Sequence, residues 1–481
     1  MSNILFVKTF LDSGIGASLP EIDLFISASF LEQKYPNIHK YIFLNLGYDY
    51  INDEKFLDII VNNNIDIVHF STNVWETNIL HKFTKLVKNA NKNIMVIISG
   101  QLASIVKDKL LQDENIDIVV YGESYVTFKE LVYAINKNIG LQNIEGICYR
   151  KENIPVINSE RQLYDKVDEF VIADKIWDLI DIKKYSKYLG WNGINQKEYY
   201  IPILASFGCP FECTYCTNRL YLGNKFRKRS INSVVDEIQY LIHKFNIYEI
   251  HFFDAVFNCD IAWSKKILQA IIDRNLSISI AFPHGLRVDH MDGELIDLFK
   301  KAGVYKVTYA IETASPSLQK QINKNLDLNL ANKIIELTAK KNIIVCGYFM
   351  LGFENESENE MLQTISYACN SKFDIASFFK YSHLYDSVNK QYTNDEIKNN
   401  DSFIEFSYFS NDLKNFESMK INYFILLAQR KFYIDIKRLL KLFIKSKKKI
   451  KFIKQTIKAI CIITQGYMIS KIYYNLKKDK I

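Results

Sequence analysis

The chain has 481 residues, of which 48% are hydrophobic and 24% charged, so it can form a folded protein of about two to four domains. Its net charge of +7 is uneven, because residues 430–481 contain sixteen Lys and Arg against two acidic residues, a net +14, which leaves −7 for the rest. This balance argues against a nucleic-acid-binding body. The apolar run at the start is too short for a secretory signal, and most cysteines are scattered singly, so we expect a reduced, cytoplasmic protein.

Residues 3–137 alternate strand and helix patterns five times. Apolar runs predict strands at 4–7, 41–44, 65–70, 94–98 and 116–120, and amphipathic stretches at 78–89 and 126–136 predict helices. Near-continuous apolar strands separated by helices favour an α/β fold with a doubly wound parallel sheet. Ligands of such sheets bind at the carboxyl ends of the strands. There the chain has Ser71, Gly100 and the pair Gly122-Glu123, which are small or polar and let a large ligand approach the backbone.

We assign this first domain to residues 1–139. Residues 140–199 form a connector with one predicted short strand at 144–150. Residues 200–390 again repeat strand and helix, and residues 391–481 form a helical, basic C-terminal region.

Three of the eight cysteines follow the apolar run 200–204, with the spacing C-x3-C-x2-C. They are Cys209, Cys213 and Cys216. A structural zinc site needs four ligands, and no further Cys or His occurs in the next twenty residues. An iron–sulfur cluster on three cysteines keeps one iron without a protein ligand. The spacing therefore favours a cluster with an open iron, and a zinc loop or three unrelated thiols are the alternatives.

This motif, with the aromatic Tyr215 before its last cysteine, resembles that of the radical S-adenosylmethionine (SAM) enzymes. The resemblance implies a 4Fe–4S cluster bound by Cys209, Cys213 and Cys216, with SAM chelating the fourth iron. Residues 200–390 resemble the partial TIM-like barrel of that family, with predicted strands at 249–253, 278–282, 304–310 and 343–350 and helices at 262–274, 293–301 and 330–340. By the same resemblance, Asp254, Arg287 and Glu312 contact SAM.

The first domain resembles the cobalamin-binding domain of the cobalamin-type branch of this family. The resemblance places Ser71, Gly100, Gly122 and Glu123 near cobalamin. The motif D-x-H-x-x-G is absent and Asp12-Ser13-Gly14 stands in its place, so we do not expect a histidine ligand to cobalt. The alternative is a degenerate domain that serves only as a scaffold.

The implied activity is reductive cleavage of SAM to a 5′-deoxyadenosyl radical, with cobalamin-dependent methyl transfer to an unactivated centre as the leading outcome. One alternative is a cobalamin-independent radical SAM enzyme that forms rings or rearranges its substrate. From another class, the chain could be a non-catalytic protein that binds SAM or cobalamin. The expected partners are a small-molecule or peptide substrate and a flavodoxin- or ferredoxin-type reductant, with no nucleic acid.

Apolar residues at helical spacing with lysines opposite predict a basic amphipathic helix near residues 430–445. We expect it to pack on the barrel with its lysines in solvent. Weak contact with an anionic membrane surface or with an acidic partner are the alternatives.

Overall fold

The computed structural model describes residues 1–9, 21–49, 51–183, 194–381, 416–446 and 449–478. The described residues form two parallel-sheet domains followed by helices, which confirms the predicted α/β class and the order of its parts. The Asp12-Ser13-Gly14 segment and the polar start of the C-terminal region lie outside the described residues.

The first sheet has seven strands in the order β2-β1-β3-β4-β5-β6-β7. They are β1 Asn3–Lys8, β2 Lys40–Asn45, β3 Ile67–Ser71, β4 Met95–Ser99, β5 Ile118–Val120, β6 Ile147–Lys151 and β7 Ile154–Ile157. Strands β1 to β5 are parallel, as predicted, and β6 and β7 are antiparallel additions from the predicted connector. The connector therefore completes this sheet.

Both faces of the sheet are covered, because successive residues of a strand point to opposite faces. Ile4 and Phe6 belong to one hydrophobic core, and Leu5 and Val7 to the other. The covering helices are α1 Ile22–Lys34, α2 Leu46–Asp49, α3 Asp53–Asn62, α4 Thr77–Ala90, α5 Gln101–Val106 and α6 Ser124–Lys137, with α7 Asp174–Leu179 in the connector.

The second sheet has six strands, all parallel, in the order β8-β11-β12-β13-β14-β15. They are β8 Ile201–Ile203, β11 Glu249–Phe252, β12 Ser279–Leu286, β13 Val304–Glu312, β14 Ile344–Leu351 and β15 Ile375–Lys380. The sequence interpretation missed β15. A two-stranded ribbon, β9 Ser206–Phe207 and β10 Arg227–Lys228, brackets the cysteine loop. Sequential parallel strands with intervening helices form the expected partial barrel.

One helix of the barrel begins where its polar cap predicts. Ser230 caps its helix by accepting a hydrogen bond from the Ser233 amide, and the helix at 293–301 matches its predicted bounds. The set is α8 Asn218–Leu222, α9 Ile231–Phe245, α10 Ile261–Asp273, α11 Gly293–Lys301, α12 Pro316–Gln321, α13 Leu328–Lys340 and α14 Glu358–Asn370.

The C-terminal region forms three helices, α15 Phe416–Tyr433, α16 Ile436–Lys445 and α17 Lys449–Lys478. Helix α15 packs on the barrel, and the Tyr433 hydroxyl donates to the Ala376 carbonyl of β15 at 2.8 Å. Helix α16 packs on the barrel as expected and exposes Lys437, but the side chains of Arg438 and Lys445 are buried there, and Ile436 and Ile444 are exposed. No helix in the described part of the chain is long and apolar enough to cross a membrane.

Candidate functional site

The cysteine loop leaves β9 through Gly208, whose backbone has a φ of +78°. A Cβ at this position would lie 2.2 Å from the Lys225 carbonyl oxygen, so only glycine fits here. The loop is then fixed at both ends. The Cys209 amide donates to the Gly223 carbonyl at 3.1 Å, and the Thr214 amide donates to the Ile322 carbonyl at 3.1 Å.

This loop brings the three thiols close enough to affect one another's pKa. Burial, with a further contribution from the other two thiols, raises the pKa of the Cys216 thiol to about 12, and burial and Cys213 raise the pKa of Cys209. Bound iron deprotonates such thiols. Among the described residues, no group of three or more His, Cys, Asp or Glu side chains is arranged to hold a single metal ion. Thiolates of a 4Fe–4S cluster each bind a different iron, so this donor set fits a cluster.

Glu312 lies beside the cysteine loop and contacts two side chains. Its carboxylate accepts hydrogen bonds from the Tyr215 hydroxyl at 2.9 Å and from Lys324 Nζ at 3.3 Å. The backbone of Glu312 has a φ of +69°, a conformation that costs free energy in a non-glycine residue and is typical of functional sites. Lys324 belongs to the loop between α12 and α13, and its role was missed because no sequence pattern distinguishes it from a surface lysine.

Arg287 follows β12 and is buried at the same place. Its guanidinium donates to both carboxylate oxygens of Asp289, at 2.9 and 2.6 Å, and to the Lys324 carbonyl at 3.0 Å. It also lies 4.1 Å from the centre of the Phe211 ring. The structure therefore brings Tyr215, Glu312 and Arg287 together around the Lys324 segment, and Asp289 pairs with the arginine.

Asp254 follows β11 and is fully buried next to the strand that enters the cysteine loop. It accepts hydrogen bonds from the Ser206 hydroxyl and from the Ala205 amide, the latter at 3.3 Å. Burial raises the pKa of this carboxyl to about 6. Among the described contacts, Asp254 is tied to the strand before Cys209 and has no direct bond to Glu312.

At the carboxyl ends of the first sheet, Gly100 and Gly122 share one hydroxyl. Ser104 Oγ donates to the Gly100 carbonyl at 3.0 Å and accepts from the Gly122 amide at 3.0 Å. Gly100 has a φ of +96°, and a Cβ there would meet the Thr72 carbonyl at 2.8 Å, whereas a Cβ on Gly122 would meet nothing within 4 Å. Ser71 is buried, between Lys8 and Asp23.

Two contacts join these loops to the cysteine loop. Gln101, directly after Gly100, donates from Nε2 to the Thr217 hydroxyl at 2.7 Å, and Thr217 directly follows Cys216. The second contact is made by Glu123, whose carboxylate accepts two hydrogen bonds from Arg227 of β10, at 3.1 and 2.6 Å. The sequence predicted neither the contact of Gln101 with Thr217 nor the pair of Arg227 with Glu123, since no local pattern identifies a contact between domains.

The residues at this junction fit a large bound group. The Gln101 Oε1 atom is buried without a hydrogen-bond partner among the described residues, and Gly122 faces open space. A buried acceptor without a partner needs one, and an amide-rich ligand such as cobalamin, held at the carboxyl ends of these strands, would supply a donor.

Comparison with known proteins identifies both domains. Residues 203–368 match the model of the Radical SAM superfamily, and residues 15–132 match that of the B12 binding domain. The chain therefore contains a radical SAM domain preceded by a B12-binding domain, as the sequence resemblance predicted. These domains are those that hold a 4Fe–4S cluster with SAM and cobalamin.

The relatives include methyltransferases. The chain is 31% identical over 296 residues to an uncharacterized methyltransferase of Pyrococcus horikoshii, covering 61% of this chain and 62% of that protein. It is 27% identical over 335 residues to cytidylyl-2-hydroxyethylphosphonate methyltransferase of Streptomyces wedmorensis, covering 63% and 62%. The chain thus spans about three fifths of the length of these curated relatives.

A solved structure shares the fold of both domains. The radical SAM methyltransferase TsrM from Kitasatospora setae, with cobalamin and a 4Fe–4S cluster bound, superposes with a TM-score of 0.65 at 17% identity. The match covers 80% of this chain and 74% of TsrM. At this identity the likeness describes the fold alone.

Proposed function

We propose that this protein is a cobalamin-dependent methyltransferase that acts on a small-molecule or peptide substrate. When bound, the cluster and cobalamin would supply reductive cleavage of SAM to a 5′-deoxyadenosyl radical and transfer of a methyl group. The observation that supports this proposal best is the 2.7 Å hydrogen bond from Gln101 to Thr217. It joins the loop next to Gly100 to the residue after Cys216, so the two cofactor sites would be neighbours.

Each group of residues has a separate task in this proposal. Cys209, Cys213 and Cys216 would hold the cluster and leave one iron open. Asp254 and Glu312 are buried carboxylates that can accept hydrogen bonds from the amino and hydroxyl groups of SAM. Arg287 would pair with a carboxylate, as planar guanidinium groups do well, and Asp289 holds it in position until then.

Lys324 would orient the Glu312 carboxylate and the Tyr215 hydroxyl. Its ammonium lies between Glu312 and the Tyr215 hydroxyl, at 3.3 and 3.4 Å, and keeps the Glu312 carboxylate from being an unpaired buried charge. The predicted reductant is a flavodoxin- or ferredoxin-type protein, which dithionite would replace in an assay.

The test is anaerobic incubation of the reconstituted protein with SAM and dithionite, with and without cobalamin. We expect both 5′-deoxyadenosine and S-adenosylhomocysteine, and we expect the second product to need cobalamin. The matched control replaces Cys209, Cys213 and Cys216 by Ala and should make neither.

Other outcomes separate the alternatives. Formation of 5′-deoxyadenosine at the same rate without cobalamin, and no S-adenosylhomocysteine, would favour a ring-forming or rearranging enzyme. Binding of SAM and cobalamin with neither product would favour a non-catalytic binding protein.

A further inference from the structure

Helix α16 packs on the barrel through Leu442 and two cationic side chains, Arg438 and Lys445. The buried Arg438 donates to the carbonyls of Phe373, Phe432 and Cys369, at 3.1, 2.7 and 2.8 Å. Lys445 donates to the Ile343 carbonyl at 3.0 Å and to Asp374 at 2.8 Å. These charges are satisfied inside the molecule, so the opposite side of α16 is the side left for solvent.

The outer side of α16 carries three exposed apolar residues. Ile436, Leu440 and Ile444 recur every four residues, which places them on one face of a helix, and they are 71%, 56% and 74% exposed. A helix that covers a core normally turns its apolar residues inward and its charged residues to solvent. These three residues contribute little to the core of the described chain, so their apolar character needs another explanation.

Helix α17 also exposes apolar residues. In its C-terminal half, Tyr467 and Tyr474 stack on Tyr423 of α15 with ring centroids 5.8 and 4.6 Å away. In its N-terminal half, Ile450, Ile453 and Ile457 are exposed, and their spacing places them on one face of the helix.

The exposed apolar residues are concentrated in this part of the chain. Of the twenty-three large hydrophobic residues that are exposed among the described residues, eleven lie between 434 and 472. We call six of these the docking face: Ile436, Leu440, Ile444, Ile450, Ile453 and Ile457. A concentration of this kind marks an interaction surface, whereas single exposed hydrophobics do not.

The charges around the docking face decide what covers it. Residues 436–478 contain thirteen Lys and Arg and no acidic residue. The exposed Lys437, Lys454 and Lys458 stand beside the exposed isoleucines. Cores of protein interfaces are depleted in lysine, and a second copy of this basic surface would repel the first. At a lipid surface, lysines lay their stems along the apolar layer and keep their ammonium groups at the anionic headgroups.

We propose that α16 and α17 dock the protein on an anionic membrane surface through the docking face. The helices lie on the membrane, since none in the described part of the chain is apolar enough to span it. Helix α16 contacts Ile343 and Asp374, which directly precede strands β14 and β15. It therefore lies at the amino ends of the barrel strands, and the docked protein keeps the opposite end, with the cysteine loop, available to substrate and reductant.

The test is sedimentation of the full chain with phosphatidylcholine vesicles that contain about one third phosphatidylglycerol. Each basic residue near such a surface contributes about 1 kcal/mol of attraction. We therefore expect binding at least about tenfold tighter than to pure phosphatidylcholine, and we expect it to weaken in about 0.5 M salt, where the Debye length is short.

Two variants test the two parts of the surface. Leu440→Ser with Ile444→Ser removes apolar contact, and Lys454→Glu with Lys458→Glu reverses charge; each should weaken binding at least about tenfold. The matched control is Ile154→Ser with Ile157→Ser on β7, because these isoleucines are similarly exposed but stand in the first domain. Unchanged melting temperature and iron content show that each variant is folded.

Several results would overturn the proposal. They are equal binding to neutral and anionic vesicles, no vesicle binding by the parent, and an equal loss of binding in the β7 control. A dimer that dissociates in the docking-face variants would assign the surface to a second copy of the chain instead.

Discussion

One contact between the two domains is a buried ion pair, Arg227 with Glu123, and this pair gives a sharp prediction. The two side chains are only 2% and 7% exposed. Arg227 also donates to the carbonyls of Tyr164 and Leu222, at 2.8 and 3.2 Å. One guanidinium therefore donates four hydrogen bonds, which join the first domain, the connector and the segment after the cysteine loop.

Replacing Arg227 with Met should be strongly destabilising, because it leaves the Glu123 carboxylate buried and unpaired. Breaking a buried pair on one side costs about 3–5 kcal/mol, which corresponds to a melting-temperature decrease of roughly 6–20 °C for a domain of this size. Replacing both partners, Arg227→Met with Glu123→Leu, should cost less than the single change, since no charge is then stranded.

The cost should also depend on pH in a defined direction. Burial already raises the pKa of Glu123, and Arg227 opposes that rise. Without the arginine the folded-state pKa rises further above its unfolded value, so the penalty is small at low pH and grows as pH rises through the folded pKa. The melting difference between variant and parent should therefore be larger at about pH 8 than at about pH 5.

Differential scanning fluorimetry of the full chain measures these differences. The matched control is Lys225→Met, whose ion pair with Asp165 is more than half exposed on both sides, and no measurable change is expected from it. A decrease of no more than about 2 °C for Arg227→Met, or an equal decrease at both pH values, would refute the reasoning, because the buried carboxylate would then have found other partners.

The remaining predictions concern the cysteine loop and the residues around it. Gly208→Ala should lower the iron content of the reconstituted protein severely while circular dichroism stays that of the parent, because the new Cβ would collide with the Lys225 carbonyl; full iron content would contradict the assigned loop geometry. Lys324→Met should weaken SAM binding, measured by calorimetry, by about tenfold or more, since a hydrogen bond to a charged group is worth about 1.5–3 kcal/mol. SAM affinity should fall as pH decreases through about 6, where the buried Asp254 becomes protonated, and Asp254→Asn should remove that pH dependence. The pKa of Asp254 is higher in the folded than in the unfolded protein, so protonation of this residue favours the folded state. A loss of SAM affinity near pH 6 therefore cannot be explained by unfolding caused by Asp254.

Much of the fold follows from local patterns. The first five strands of the first domain are short, near-continuous apolar runs because both of their faces are buried. The cysteine motif is equally local, since all three thiols lie within eight residues. Strand β15 was missed because its apolar run is short, is interrupted by Ser377 and lies between the charged residues Asp374 and Lys380.

The parts that could not be predicted depend on distant partners. Glu123 and Arg227 are 104 residues apart, and nothing near either one indicates the other. Lys324 meets Glu312 only because the loop before α13 folds back over the cysteine loop. For α16, the amphipathic pattern predicted that all its lysines would lie in solvent. Arg438 and Lys445 are instead buried, because the carbonyls of Phe373 and Ile343 and the Asp374 carboxylate accept their hydrogen bonds.

The measurement that tests the central claim most directly is electron paramagnetic resonance of the anaerobically reduced protein, with and without SAM. If Cys209, Cys213 and Cys216 hold a 4Fe–4S cluster with one open iron, the reduced protein will show the signal of such a cluster. The g-values will shift when SAM is added, and the signal will be missing when all three cysteines are replaced by Ala. A cluster signal that survives the triple replacement, or one that SAM leaves unchanged although SAM binds, would contradict the account.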